Sequence, residues 1–257
     1  GGGGIGRAAA LAFAREGASV AVADVDLALA EETCSLAGGA PGRAVPFRCD
    51  VAAAEEVDAL VQQTVATFGS LHHCFNNAGI EGGRAPLHET APGDFERVMA
   101  VNAGGVFNCM RAEIRQMLAQ LKLNPVVVGA SPKSPKAVDT VGLSIVNTSS
   151  TAGLSAMAEF SPYCASKHAV IGLTRCAARE YAPFGIRVNC VCPSTTDTPM
   201  VQRFSQSWPD WQDRQNSSFP AGRIGTPEEV AEAVLWLSSP RCPMVCGSCL
   251  TIDGALT

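Results

Sequence analysis

Tyr163 and Lys167 stand four residues apart in the run Ser161-Pro162-Tyr163-Cys164-Ala165-Ser166-Lys167. On a helix that spacing puts both side chains on one face. An ammonium beside a phenol favours the phenolate and lowers its pKa. A tyrosine tuned in this way trades protons near neutral pH, which is what interconverting an alcohol and a carbonyl requires. The chain has only two tyrosines and four lysines, so the spacing is informative. The same spacing also serves an ordinary helix-surface pair. The choice between the two depends on what the rest of the chain supplies.

The second group with chemical potential is the glycine run Gly1-Gly2-Gly3-Gly4-Ile5-Gly6, which opens a helix. Glycines let backbone N–H groups approach a pyrophosphate, and a helix N-terminus favours its charge. Flexible linkers are also glycine-rich, so the run gains meaning from Asp24, at the end of the following strand. A carboxylate there accepts hydrogen bonds from both adenosine ribose hydroxyls and repels a 2′-phosphate. No Lys or Arg flanks Asp24, so the expected cofactor is NAD rather than NADP. A plain turn aspartate is the alternative.

These residues must be positioned by alternating strands and helices. Short β-branched runs recur at Ser19–Ala23, Ala44–Cys49, Leu71–Asn76, Leu143–Thr148, Ile186–Val191 and Leu250–Ile252. Helical stretches lie between them, at Arg7–Glu16, Glu55–Phe68, Gly104–Gln120, Pro162–Ala182 and Pro227–Ser238. This alternation predicts an α/β protein, a doubly wound parallel sheet with helices on both faces. Gly17 and Gly69 stand where helices should end. Thr226-Pro227-Glu228-Glu229 reads as a helix start. No linker divides the chain, so residues 1–257 are expected to form one domain. Residues 121–142, with three prolines, read as an inserted loop, either a plain surface loop or a lid or partner-binding element.

Composition narrows the function classes. Hydrophobic residues make up 47% and charged residues 17%, which suits a large buried core. The net charge of −5 argues against a nucleic-acid surface. No apolar run approaches the roughly 20 residues of a membrane span. Eleven scattered cysteines fit a reducing cytoplasm better than a disulfide scaffold. Cys242, Cys246 and Cys249 have a spacing that could ligate a metal, but no fourth ligand is near, and no metal is expected. His72, His73, His88 and His168 have no ligand spacing.

Read in order, the motifs resemble the short-chain dehydrogenase/reductase family. They are Gly4-Ile5-Gly6, Cys49-Asp50-Val51, Asn76-Asn77-Ala78-Gly79, Val101-Asn102, Asn147-Thr148-Ser149-Ser150, Tyr163-x-x-x-Lys167 and Arg187-Val188-Asn189. The resemblance runs from residue 1 to about Ala255, apart from the loop. It implies a Rossmann-like fold with sheet order 3-2-1-4-5-6-7. The family's first strand would precede Gly1, so an upstream strand ending in Thr-Gly is expected to complete the sheet. By resemblance, Tyr163 is the catalytic acid/base, Lys167 lowers its pKa and holds the nicotinamide ribose, and Ser150 orients the substrate oxygen. Asn102 would hold a water linking Lys167 to solvent. The resemblance puts Gly3, Gly4 and Ile5 at the pyrophosphate. It sets Asp50 and Val51 beside the adenine, and Asn77, Ala78 and Gly79 along the adenosine side. Pro193, Thr196 and Thr198 would meet the nicotinamide carboxamide. Two positions depart from the family pattern, Ser194 after Pro193 and Ala255 after Gly254.

The implied activity is NAD-dependent interconversion of a secondary alcohol and a ketone. Met200, Phe204, Trp208, Trp211 and Phe219 either close a pocket for a moderately apolar, cyclic substrate or pack the chain's own core. The implied assembly is a homotetramer, with the Glu96–Gln116 and Pro162–Ala182 helices forming one interface and the C-terminal strand another. The alternative function is a catalytically silent, oligomer-forming relative that lacks the first strand.

Overall fold

The structure is a computed structural model that describes residues 1–121, 142–205 and 219–257. The 121–142 insertion, Trp208 and Trp211 thus fall outside the described residues, apart from Leu121 and Gly142. The described elements are α1 (Gly4–Arg15), β1 (Val20–Asp24), α2 (Leu27–Leu36), β2 (Ala44–Arg48), α3 (Ala54–Phe68) and β3 (His73–Asn76). They continue with α4 (Pro92–Met99), α5 (Gly105–Gln120), β4 (Ser144–Thr148), α6 (Ser161–Tyr181), β5 (Arg187–Pro193), α7 (Pro199–Ser205), α8 (Pro227–Ser238) and β6 (Cys249–Ile252).

All described strand pairs are parallel. They form two sheets, β1-β2 and β3-β4-β5-β6. Among the described residues no ladder joins β1 to β3. Instead Gly1 lies at the end of β1, where its amino group donates to the Ala23 carbonyl at 2.6 Å. Gly6 and Asn77 close on the other side of Gly1: a Cβ on Gly6 would meet both the Gly1 Cα and the Asn77 amide at 3.1 Å.

Side-chain alternation along the buried strands explains the two helix layers. Ile145 and Val188 point to one face and pack with Val106, Met110, Ile114 and Met117 of α5 and Val170 of α6. Val146 and Val191 point to the other and pack with Val230, Val234 and Leu237 of α8. Strands buried on both faces need such continuous apolar runs. On the α8 side, α1 approaches closely through Ala8, Ala9, Ala12 and Ala231. The architecture is a Rossmann-like α/β fold with parallel sheets.

Local signals account for the ends of several elements. Thr226 and Glu229 close a reciprocal capping box on α8. Gly69 ends α3 at φ 87°, donating to Val65 at 2.7 Å, in a conformation that favours glycine. The α5 stretch is longer than its sequence pattern shows. Pro92 opens α4, and a π turn over Ala100–Gly104 joins it to α5. That irregular turn carries Asn102.

Candidate active site

The C-terminal ends of the strands deliver the predicted residues to one cleft. It measures about 1690 Å³, beyond the roughly 300–1,000 Å³ of an ordinary ligand pocket. That leaves room for two ligands side by side. Gly3, Gly4, Ile5, Asp24, Asp50, Val51, Asn77, Ala78, Gly79, Ser150, Tyr163, Lys167, Pro193, Thr196 and Thr198 all line it. Asn102 sits just behind this lining.

Helix α6 carries Tyr163 and Lys167, and the loop after β4 carries Ser150. The Ser150 hydroxyl faces the Tyr163 phenol, whose pKa it lowers, and donates to the Pro193 carbonyl at 3.4 Å. Its oxygen also accepts from the Ala152 N–H at 3.1 Å, which fixes the side chain. Ser149 is turned the other way and donates to the Lys167 carbonyl at 2.8 Å. The two adjacent serines therefore play different parts, one facing the cleft and one anchoring α6.

Lys167 reaches back under the cleft and donates to the Thr148 carbonyl at 2.9 Å. Its ammonium lies 5.5 Å from the centre of the Tyr163 ring. The expected lowering of the phenol pKa is not what this arrangement gives. Burial dominates, and with the Glu81 charge it pushes Tyr163 up to about 12 against the opposing bond from Ser150. Burial likewise brings Lys167 down to about 8. The physical reason is that helical spacing fixes a shared face, not a contact. The lysine's hydrogen bond goes to a backbone oxygen.

Asn102 is held on all sides. Its carboxamide pairs with the Ile80 backbone, donating to O and accepting from N, both at 2.8 Å. It also donates to the Ser166 hydroxyl at 2.9 Å. A Cβ on Gly79 would lie 3.2 Å from Asn102 Oδ1 and 3.4 Å from Lys167 Nζ, so a side chain there would crowd both groups. The sequence reading missed Ser166 and Thr148 as supports. Thr148 additionally donates to Asn77 Oδ1 at 3.1 Å, and its place inside a quoted motif was the available signal.

At the far end, Asp24 accepts from the Gly2 N–H at 2.8 Å and the Asp26 N–H at 3.1 Å. Burial alone would raise its pKa, but the Gly1 amino group and these N–H bonds outweigh burial and hold it below the usual range. Helix α1 begins without a side-chain cap and without an acidic residue in its first turn. Its N-cap, Gly3, has nothing within 4 Å of the space a Cβ would fill. Gly4 adopts φ +49° with Thr198 packed on it. An open, uncapped helix N-terminus of this kind suits a phosphate. Thr198 and Pro193 border the middle of the cleft, while the Thr196 hydroxyl is turned to the Ser194 carbonyl at 3.1 Å.

On the substrate side, Phe219 is buried and Met200 lines the cleft. The Arg84–Glu159 ion pair spans two of its loops. The described cysteines, histidines and carboxylates form no group of three or more arranged to hold a metal ion.

Comparison with known proteins gives the family. The family profile described as enoyl-(acyl carrier protein) reductase matches residues 2–257. A 2,5-dichloro-2,5-cyclohexadiene-1,4-diol dehydrogenase of Sphingobium indicum is 40% identical, over 100% of this chain and 94% of its own. A cyclohexanol dehydrogenase of an Acinetobacter species is 37% identical, over 100% of this chain and 92% of its own. The crystal structure of a 3-ketoacyl-(acyl-carrier-protein) reductase from Brucella melitensis complexed with NADH superposes with a TM-score of 0.85. It is 29% identical and covers 99% of this chain and 94% of its own. The chain belongs to the short-chain dehydrogenase/reductase family, and it is an oxidoreductase of that family.

Proposed function

We propose that this protein is an NAD-dependent oxidoreductase that interconverts a secondary alcohol and a ketone, with Tyr163 as acid/base. The observation that carries the reading is the meeting of the Ser150 and Tyr163 hydroxyls in a cleft whose opposite end holds the Asp24 carboxylate. NAD fits the residues present. The bare start of α1 would hold the pyrophosphate and Asp24 the adenosine ribose, while Lys167 stands at the nicotinamide end. The names of two relatives support a six-membered ring alcohol as substrate, and the NADH-bound neighbour supports NAD.

Bound NAD supplies the nicotinamide ring that takes up hydride. The chain's own residues do the rest. Ser150 orients the substrate oxygen toward Tyr163. In alcohol oxidation the Tyr163 phenolate accepts the hydroxyl proton, and in ketone reduction the phenol returns it. Lys167 stabilises the phenolate through space rather than by direct contact. Asn102 and Ser166 lock the position of α6 and of the loop after β3.

The reading extends to one domain over residues 1–257, a cytoplasmic location, and assembly as a homotetramer. Phe95 on α4 and Phe107 on α5 are 46% and 51% exposed, which favours a covered helix face. Light scattering should give a tetramer at micromolar concentration, and a stable monomer would contradict that part. The activity is tested by mixing the protein with NAD and a panel of secondary alcohols. NADH absorbance should appear. A folded protein with neither NADH formation nor saturable NADH binding would instead be the silent relative. Among the described residues no helix is long and apolar enough to cross a membrane.

A further inference from the structure

Glu81 lines the cleft that holds Ser150 and Tyr163. It follows Ile80, whose N–H and C=O are both held by the Asn102 carboxamide. Its backbone is therefore rigidly placed relative to α6. Two residues on, Gly83 donates to Asp94 at 2.7 Å, which pins the far end of the same loop. Two arginines of the cleft are paired: Arg84 with Glu159, and Arg97 with Asp94 at 2.6 Å. Among the described residues no side chain pairs with Glu81.

We propose that Glu81 is a specificity-determining residue that accepts a hydrogen bond from a second hydroxyl of the substrate, so that diols are preferred over mono-alcohols. The proposal rests on the alcohol-oxidising function proposed above. A carboxylate next to apolar lining such as Met157, Met200 and Phe219 loses water when a substrate fills the cleft. That loss is costly unless the substrate brings a donor. A hydroxyl donor repays it through a charge-assisted hydrogen bond. An ammonium would be attracted to Glu81 but opposed by Arg84, Arg97 and Lys167, which line the same cleft. Glu81 and Tyr163 line the same cleft, and the carboxylate's charge raises the phenol's pKa.

The test measures kcat/KM with NAD for cyclohexanol, cyclohexane-1,2-diol, cyclohexane-1,4-diol and 2-aminocyclohexanol. It uses the parent, Glu81→Gln and Glu81→Ala, each checked for an unchanged circular dichroism spectrum and NADH affinity. The parent should favour at least one diol over cyclohexanol by about tenfold or more, the scale of one charge-assisted hydrogen bond. Both variants should lose most of that preference, read at one pH as the ratio of kcat/KM for the diol over that for cyclohexanol. Oxidation of cyclohexanol as fast as of the diols overturns the proposal alone. So does an equal loss on all substrates, an unchanged diol preference in both variants, or a preference for the amino alcohol. A parent that forms NADH from none of the four overturns the underlying function, and the proposal with it.

Discussion

The Lys167 ammonium lies 5.5 Å from the centre of the Tyr163 ring and donates its hydrogen bond to the Thr148 carbonyl, not to the phenol. At that range the cation acts on the phenol through space, in a site where burial opposes charge on both groups. The structure therefore holds the tyrosine high, about 12, and the lysine low, about 8.

This sets the pH behaviour. Alcohol oxidation needs the phenolate, so its rate should rise with pH, and ketone reduction, which needs the phenol, should fall. The charged and titratable groups acting on Tyr163 are Lys167 and Cys164 from α6 and Glu81 from the loop after β3. Glu81→Gln removes a negative neighbour and should move the oxidation limb to lower pH. Lys167→Met removes the cation and should move it to higher pH. Profiles of kcat/KM in both directions check this, and limbs unmoved by both substitutions would contradict it.

Ser149 and Ser150 should separate cleanly. Ser150→Ala removes the hydroxyl that meets Tyr163 and should lower kcat by about a hundredfold with little change in melting temperature. Ser149→Ala removes the side-chain donor to the Lys167 carbonyl, which keeps its bond within α6. It should cost about 0.5–1.5 kcal/mol of stability and leave kcat within a few-fold at a temperature where the variant is folded. Denaturation curves and steady-state kinetics on both variants distinguish the outcomes. Similar kinetic losses for both would mean that Ser150 has no special place.

Asp24 should decide the cofactor. Asp24→Ser removes the carboxylate that faces a 2′-phosphate, and the ratio of kcat/KM for NAD over NADP should fall by about tenfold or more. An unchanged ratio would assign the discrimination to another residue.

The sequence exposed this site where residue type carries the information. Tyr163, Ser150, Asp24 and the glycines announce themselves by chemistry and spacing. All six strand and five helix assignments came within three residues for the same reason, since β-branched runs such as Leu143–Thr148 read as buried strands in an apolar chain. Helix α2 was not legible because its apolar residues do not make one buried stripe: Leu27, Leu29 and Leu36 are all exposed. The Thr148 carbonyl that receives Lys167 has no identity in sequence, since every residue owns one. The π turn at Asn102 was hidden because a widened turn leaves no spacing signature. Arg187 and Asn189, quoted as family marks, turn out to pin the C-terminal segment. Arg187 donates to the Leu237 carbonyl at 2.7 Å and Asn189 to Val245 at 2.9 Å.

A buried carboxyl outside the chemistry should govern stability between mildly acidic and neutral pH. Glu113 on α5 accepts from Asn76 at 3.0 Å, and burial raises it from 4.5 to about 7 despite that bond. A raised carboxyl favours the folded state fully below its unfolded pKa, and the benefit is lost as pH rises through about 7. The full span is on the order of 3 kcal/mol. Parent stability should therefore decline between about pH 4.5 and 7 and level off above that, and Glu113→Gln, which keeps an acceptor for Asn76, should flatten that decline. Parallel slopes for the two proteins would show that Glu113 does not titrate there.

The most direct test of the central claim is Tyr163→Phe, which keeps the ring and removes the proton-transfer group. Its alcohol oxidation with NAD should fall by at least about a hundredfold, since positioned acid–base catalysis is worth roughly 10²–10⁴, while NADH binding measured by fluorescence stays within a few-fold of the parent. Oxidation within about tenfold of the parent would show that Tyr163 is not the acid/base and that the cleft works by another group.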